Sequence, residues 1–271
     1  MCQLLALNSN TPAAITFAFT GFSARGGVTG EHVDGFGLAF HQETGVQRFI
    51  DEGRASDAAL ADYLRRTPIR ARTTLAHIRK ATQGSVAKRN CHPFVRAWQG
   101  RSWSFCHNGD LRSFAPELQP AHAAAGDTDS ERAFGLILQT LQQEFGDRPH
   151  SAGWREIAPV LADLAGTIAS HGTFNFLLSD GHALYAHASN RLSFVQRQYP
   201  FSVARLIDAD VSFDLASVNG RSDRMVLIAT EPLTHDEPWQ TFGPGELRVF
   251  AAGDEVWRGL TAVAETAALA A

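Results

Sequence analysis

Cysteine is scarce in this chain of 271 residues, with three at positions 2, 91 and 106. Three cysteines cannot make a disulfide framework, so reduced thiols and a cytoplasmic protein are expected. Long hydrophobic runs are lacking too. No apolar stretch reaches the roughly 18–20 residues a membrane helix needs. The opening MCQLLALNSN has neither a basic start nor a long apolar core. Neither a membrane span nor a secretory signal is expected. Charge of one sign is missing as well: 24 Lys and Arg face 28 Asp and Glu, a formal net charge of −4. The basic residues gather only at 65–72 and 79–89, too few and too mixed for a nucleic-acid footprint. No internal repeat appears, no nucleotide-binding glycine loop, and no strict alternation of strand and helix. A doubly wound parallel fold is therefore not expected.

What is present is an ordinary globular composition, 44% apolar and 19% charged, enough for a substantial core. Residues 3–8 read as a short buried strand. Thr11-Pro12 opens a helix to about residue 22, with proline at a tolerated early position. Residues 36–41 and 46–51 form a hairpin around Thr44-Gly45. Ser56 caps a helix to about residue 66. A strand over 72–78 delivers Arg79 into a loop. Residues 95–98 and 101–107 form a second hairpin around Gln99-Gly100, ending at Asn108-Gly109. Helices follow over 128–145 and 154–170. The first carries Phe134, Ile137, Leu138 and Leu141 on one face, and the second stops at Gly172. Strands come after them at 173–179, 182–188, 225–230, 246–251 and 255–258. Hairpins flanking a central helical pair predict an α+β domain of antiparallel sheets covered by helices. One domain is expected over 2–260, with a tail over 261–271 that is a short helix or frayed.

Cys2 follows the initiator methionine directly. Removal of Met1 leaves a residue with both a thiol and an α-amine. That amine titrates at roughly 7.7–8.0, so it is a usable base near neutral pH. A nucleophile beside its own N-terminal amine needs no separate histidine. Three further segments fit a site with it. In His77-Ile78-Arg79-Lys80-Ala81-Thr82, Arg79 at a strand end can grip a carboxylate bidentately, and Thr82 adds a hydroxyl. In Cys106-His107-Asn108-Gly109, the Asn108 amide and the Gly109 N–H are two close donors, suited to the oxyanion of a tetrahedral intermediate. Asn-Gly is also an ordinary turn dipeptide. In Asp127-Thr128-Asp129-Ser130-Glu131, an N-cap with acidic first-turn residues explains most of the pattern. One of its carboxylates facing a cleft can also bind an ammonium. Nucleophile, base, oxyanion donors, carboxylate clamp and ammonium clamp together suit an α-amino acid with an acyl side chain. Glutamine fits, with its γ-amide as electrophile.

The chain resembles the class II glutamine amidotransferases, of the compact stand-alone YafJ-like type, within the N-terminal-nucleophile hydrolases. The resemblance covers nearly the whole chain. It rests on the order and spacing of MCQLLALNSN, FTGFSARGG, HVDGFGLAF, AHIRKATQG, NCHPF, FCHNGDL, GDTDSE, FNFLLSDG and IATEPLT. It implies a four-layer αββα sandwich of two antiparallel sheets. It implies glutamine hydrolysis through a γ-glutamyl thioester, with ammonia released for an acceptor and no cofactor or metal. Position by position, it makes Cys2 the nucleophile and its α-amine the base. Asn108 and Gly109 become the oxyanion pair, Arg79 and Thr82 the α-carboxylate site, and Asp129 the α-ammonium site. Arg25-Gly26 and Asp34-Gly35 resemble the family's glycine-rich segment, with stretched spacing. Lys80 stands where many relatives carry an aromatic residue, and Cys91 where Thr or Ala is common. Three other readings compete. One is hydrolysis of a γ-glutamyl amide in a larger metabolite, favoured by a chain whose length the glutaminase alone consumes; a separate acceptor subunit is the partner otherwise needed. A second is a metal-binding module built on Cys91-His92 and Cys106-His107, although adjacent strand residues point apart. The third is a binding protein that kept the site and lost turnover.

Overall fold

The structure is a computed structural model that describes residues 2–146 and 152–261. Two large antiparallel sheets pack face to face. The first holds β1 (Gln3–Ala14), β2 (Phe36–Gln42), β3 (Gly45–Asp51), β4 (Arg70–Ile78), β9 (Ser193–Gln198), β12 (Arg224–Ala229) and β13 (Gln240–Thr241). Their order is β13-β9-β12-β1-β4-β2-β3. The second holds β5 (Phe94–Trp98), β6 (Arg101–Leu111), β7 (Gly172–Ser179), β8 (Ala183–Ala188), β14 (Glu246–Ala251) and β15 (Asp254–Leu260). Their order is β15-β14-β8-β7-β6-β5. A small ribbon of β10 (Val203–Arg205) and β11 (Ser212–Asp214) stands apart. The helices are α1 (Thr16–Ala24), α2 (Ala59–Arg66), α3 (Asp129–Phe145) and α4 (Trp154–Ala169). None of the described helices is long and apolar enough to cross a membrane.

The two-residue period of the strands explains the layering. Leu5 and Leu7 of β1 pack with Phe19 and Phe22 of α1 and Leu64 of α2. Their neighbours Leu4 and Ala6 point the other way. These meet Leu177, Leu184 and Phe250 of the second sheet. On that sheet Phe105, Phe174 and Phe176 turn outward to Phe134 and Leu138 of α3 and Leu161 of α4. Helix pair, sheet, sheet and helix pair give the four-layer αββα sandwich. Each large side chain buried this way contributes about 1.5–3 kcal/mol.

Several local expectations are corrected. Thr11 and Pro12 lie in β1, not at a helix start. Pro12 sits where the pairing with β4 shifts register between Asn8 and Ala13, and such an irregularity tolerates a residue without an N–H. Helix α1 begins only at Thr16. Ser56 does not cap α2; the N-cap is Ala58, and the Ser56 N–H is spent on the Gly26 carbonyl. Asn108-Gly109 does not end a hairpin. Strand β6 runs through both residues to Leu111, paired with β7. Strands β9, β10, β11 and β13 are additional to those the sequence predicts. The expected tail falls outside the described residues beyond Thr261.

Candidate active site

Alternation places Cys2 on the face of β1 shared with Leu4 and Ala6, turned to the second sheet. Asn108 shares the face of β6 that carries Cys106, turned to the first sheet. The two side chains thus approach from opposite sheets, and both line one cavity of about 570 Å³. The Cys2 Sγ lies 3.4 Å from the N and 3.4 Å from the O of Lys80. Burial pushes the Cys2 thiol up, opposed by the Lys80 N–H and the Arg79 charge, while Asp129 pushes it further up. A thiol held up in this way is protonated at neutral pH and needs a base to become a nucleophile.

Asn108 is fully buried, and neither Oδ1 nor Nδ2 has a hydrogen-bond partner. Leaving such a group unpaired costs about 1–3 kcal/mol. Its backbone carbonyl, by contrast, accepts from Asn175 Nδ2 at 3.0 Å. Gly109 pairs with Phe174 across the sheet. Phe174 sends its N–H to Ser189 Oγ and its carbonyl to His187 Nδ1. Gly109–Phe174 is therefore a non-hydrogen-bonded pair, and the Gly109 N–H points away from β7. Leu111, two residues on, confirms the parity: its N–H leaves the ladder for Asp129 Oδ2 at 2.8 Å. A Cβ at Gly109 would stand 1.8 Å from the Thr173 carbonyl oxygen, so the strands close only on glycine.

Arg79 directly follows the last residue of β4 and is buried. Its Nη1 donates to the Ser85 carbonyl at 2.9 Å, and its Nη2 to those of Gln83 (2.9 Å) and Gly84 (3.3 Å). The guanidinium thus shapes the bend that follows it and does not line the cavity. Thr82 is exposed on that bend. Asp129 is the first residue of α3, behind the N-cap Thr128, whose Oγ1 accepts from the Glu131 N–H at 3.2 Å. Its carboxylate is buried and accepts from Ser130 N at 2.7 Å as well as from Leu111. It ties the end of β6 to α3. The structure therefore puts Cys2 and Asn108 on one cavity, with Gly109 next to Asn108 in β6 but outside that lining. Arg79 and Asp129 stand close enough for their charges to act on the Cys2 thiol, and Thr82 lies outside.

The glycine-rich segment flanks the site twice. Arg25 is buried and holds the far wall, through Asp208 (2.7 Å), the Pro232 carbonyl (2.7 Å) and Gln3 Oε1 (3.3 Å). Asp34 Oδ2 accepts from Ala81 N at 2.8 Å, and Gly35 O accepts from Arg79 N at 2.8 Å. Lys80 reaches Glu31 on the cavity rim. Two further residues belong beside those the sequence analysis names. Thr230 lines the cavity and anchors the start of β1, its Oγ1 accepting from Leu4 N at 2.8 Å. Asn175 is a polar residue inside the apolar run FNFLL, an oddity that does mark it. The two Cys-His pairs do not form a metal site. Cys106 faces between the sheets, whereas His107 faces α3, with Nδ1 2.9 Å from Ser130 Oγ. Among the described residues, no group of three or more His, Cys, Asp or Glu is placed to hold a metal.

The family model for glutamine amidotransferases class-II matches residues 1–270. A candidate glutamine amidotransferase of Escherichia coli (strain K12), YafJ, is 39% identical over 256 residues, covering 94% of this chain and 100% of that protein. A counterpart in Haemophilus influenzae is 40% identical over 256 residues, covering 94% of this chain and 86% of its own length. The crystal structure of a predicted glutamine amidotransferase from Pseudomonas aeruginosa superposes with a TM-score of 0.75 at 34% identity, covering 94% of this chain and all of that one. Glutamine phosphoribosylpyrophosphate amidotransferase of B. subtilis shares the fold, with a TM-score of 0.51 at 14% identity over 96% of this chain and 49% of its own. Facing sheets that bring Cys2 to Asn108, and these likenesses along the whole chain, lead to one conclusion: the protein belongs to the class II glutamine amidotransferases.

Proposed function

We propose that the enzyme hydrolyses the γ-amide of L-glutamine through a γ-glutamyl thioester on Cys2 and releases ammonia for an acceptor. The observation that carries this reading is the meeting of the Cys2 thiol and the unpartnered Asn108 amide in one cavity. After Met1 is removed, the Cys2 α-amine takes the thiol proton, directly or through a water. The thiolate adds to the amide carbon. Asn108 Nδ2 and the Gly109 N–H hold the oxyanion. The proton passes to the amide nitrogen, and ammonia leaves. Water then attacks the thioester, giving glutamate and restoring the thiol. Arg79 and Thr82 receive the α-carboxylate, and Asp129 the α-ammonium. Arg79 is engaged with the 83–85 carbonyls, so glutamine binding exchanges carbonyl partners for a carboxylate, a stronger charge-assisted pairing. The chemistry calls on no cofactor or metal. One amidotransferase domain over 2–260, a tail over 261–271 and a separate acceptor subunit complete the proposal.

One observation favours a second reading, cleavage of a γ-glutamyl amide in a larger metabolite. The cavity runs on from Cys2 past Glu31 and His32 to Ile207, Asp208 and Arg191, leaving room for a leaving group bulkier than ammonia. Replacing Cys2 tests the common core of both. Cys2→Ala should abolish turnover of glutamine and keep glutamine binding, read by calorimetry. Retention of Met1 should silence the wild-type chain, because the base becomes an amide. A fully active Cys2→Ala enzyme would sink the assignment.

A further inference from the structure

Asn175 stands in β7, flanked in sequence by Phe174 and Phe176, and is fully buried. Its amide uses both ends. Nδ2 donates to the Asn108 carbonyl at 3.0 Å and to Asn190 Oδ1 at 3.0 Å. Oδ1 accepts from the N–H groups of Ser189 (3.0 Å), Asn190 (3.2 Å) and Arg191 (3.3 Å). One side chain thus joins strand β6 to the turn that carries Arg191 to the cavity. A buried amide is costly unless its partners are complete, and these are.

The carbonyl it holds is half of a rigid peptide plane. The other half is the Gly109 N–H, because the 108–109 peptide contains both groups. In a trans peptide the two point in opposite directions. The carbonyl faces β7 and Asn175, and the N–H faces away from β7. We propose that Asn175 is a positioning residue for turnover: its Nδ2 fixes and polarises the 108–109 peptide so that the Gly109 N–H is aimed at the developing oxyanion. A hydrogen bond to a peptide carbonyl strengthens donation by the N–H of the same peptide. The inference rests on the oxyanion role of Asn108 and Gly109 argued above. Because an oxyanion exists only after attack, the effect falls on kcat and spares KM.

Three variants test it in the full-length enzyme beginning at Cys2. Asn175→Asp keeps an acceptor for the 189–191 turn and loses the donor to Asn108. Asn175→Ala removes both without introducing charge. Asn190→Ala deletes the other partner of Nδ2 and leaves the 108–109 peptide alone. Glutamate release and unfolding temperature are measured for each, beside wild type and Asn108→Ala. Asn175→Asp and Asn175→Ala should lower kcat about tenfold or more with KM within about twofold, less than the hundredfold or more typical of deleting an oxyanion donor outright. Asn190→Ala should keep kcat within about twofold. A folded Asn175→Ala or Asn175→Asp enzyme with wild-type kcat overturns the proposal, as does an equal loss in Asn190→Ala. Wild type that releases glutamate while Asn108→Ala is undiminished overturns the oxyanion reading beneath it. Wild type that releases no glutamate overturns the glutamine reading itself.

Discussion

Cys2, Asn108 and Arg79 show how one side chain's surroundings decide its chemistry. The Cys2 thiol is raised by burial, so its reactivity depends on a neighbouring base and not on an acidified sulfur. Asn108 is the reverse case, a neutral amide left open where a buried group is normally paired. Asn108→Ala should therefore lower kcat about a hundredfold or more with little change in KM, measured by steady-state glutamate release. Arg79 is planar, buried and triply engaged. Arg79→Lys keeps the charge and loses the fork, so KM for glutamine should rise about tenfold or more. An unchanged KM would remove Arg79 from substrate binding.

At the scale of elements, β6 is decisive. Gly109 lets it approach β7, and a Cβ there meets the Thr173 oxygen at 1.8 Å. Gly109→Ala should cost about 3 kcal/mol or more of stability, seen as a lower urea midpoint. Helix α3 begins on a single cap, Thr128. Thr128→Ala should cost about 1 kcal/mol by the same measure. The periodic segments were legible from the sequence: α3, α4 and the 36–51 hairpin stand where the apolar spacing puts them, and the second hairpin does so as far as residue 107. Local signals failed where tertiary pairing overrode them. Thr11-Pro12 reads as a helix start, yet β4 recruits residues 13 and 14 into the sheet beyond a register shift. Asn108-Gly109 reads as a turn, yet β7 continues alongside it. Strands β10, β11 and β13 are two or three residues long, too short to show a period. Of the candidate site, the sequence displays the residue types but not the distances between them. Nothing in the spacing tells that Arg79 folds back on its own bend, or that Asn175 reaches Asn108.

The whole molecule is a sandwich whose layers trap histidines as neutral rings. Burial lowers His41 to about 4, His187 to about 4 and His77 to about 3, and holds His92 well below its usual value. In the unfolded chain each binds a proton near 6.5, before the folded state does. Stability is therefore full above about pH 6.5 and falls as the pH drops toward 4, by up to about 1.4 kcal/mol per pH unit for each such histidine. The unfolding temperature should decline steeply between about pH 6.5 and about pH 4.5, and a flat profile over that interval would contradict the account. The candidate site also belongs to this scale, since it is formed where Cys2, just ahead of β1, faces β6 of the second sheet. The most direct test joins intact mass with a glutaminase assay on one preparation. The account predicts a chain beginning at Cys2 that converts glutamine to glutamate and ammonia. A chain shown by mass to begin at Cys2 that leaves glutamine untouched would contradict it.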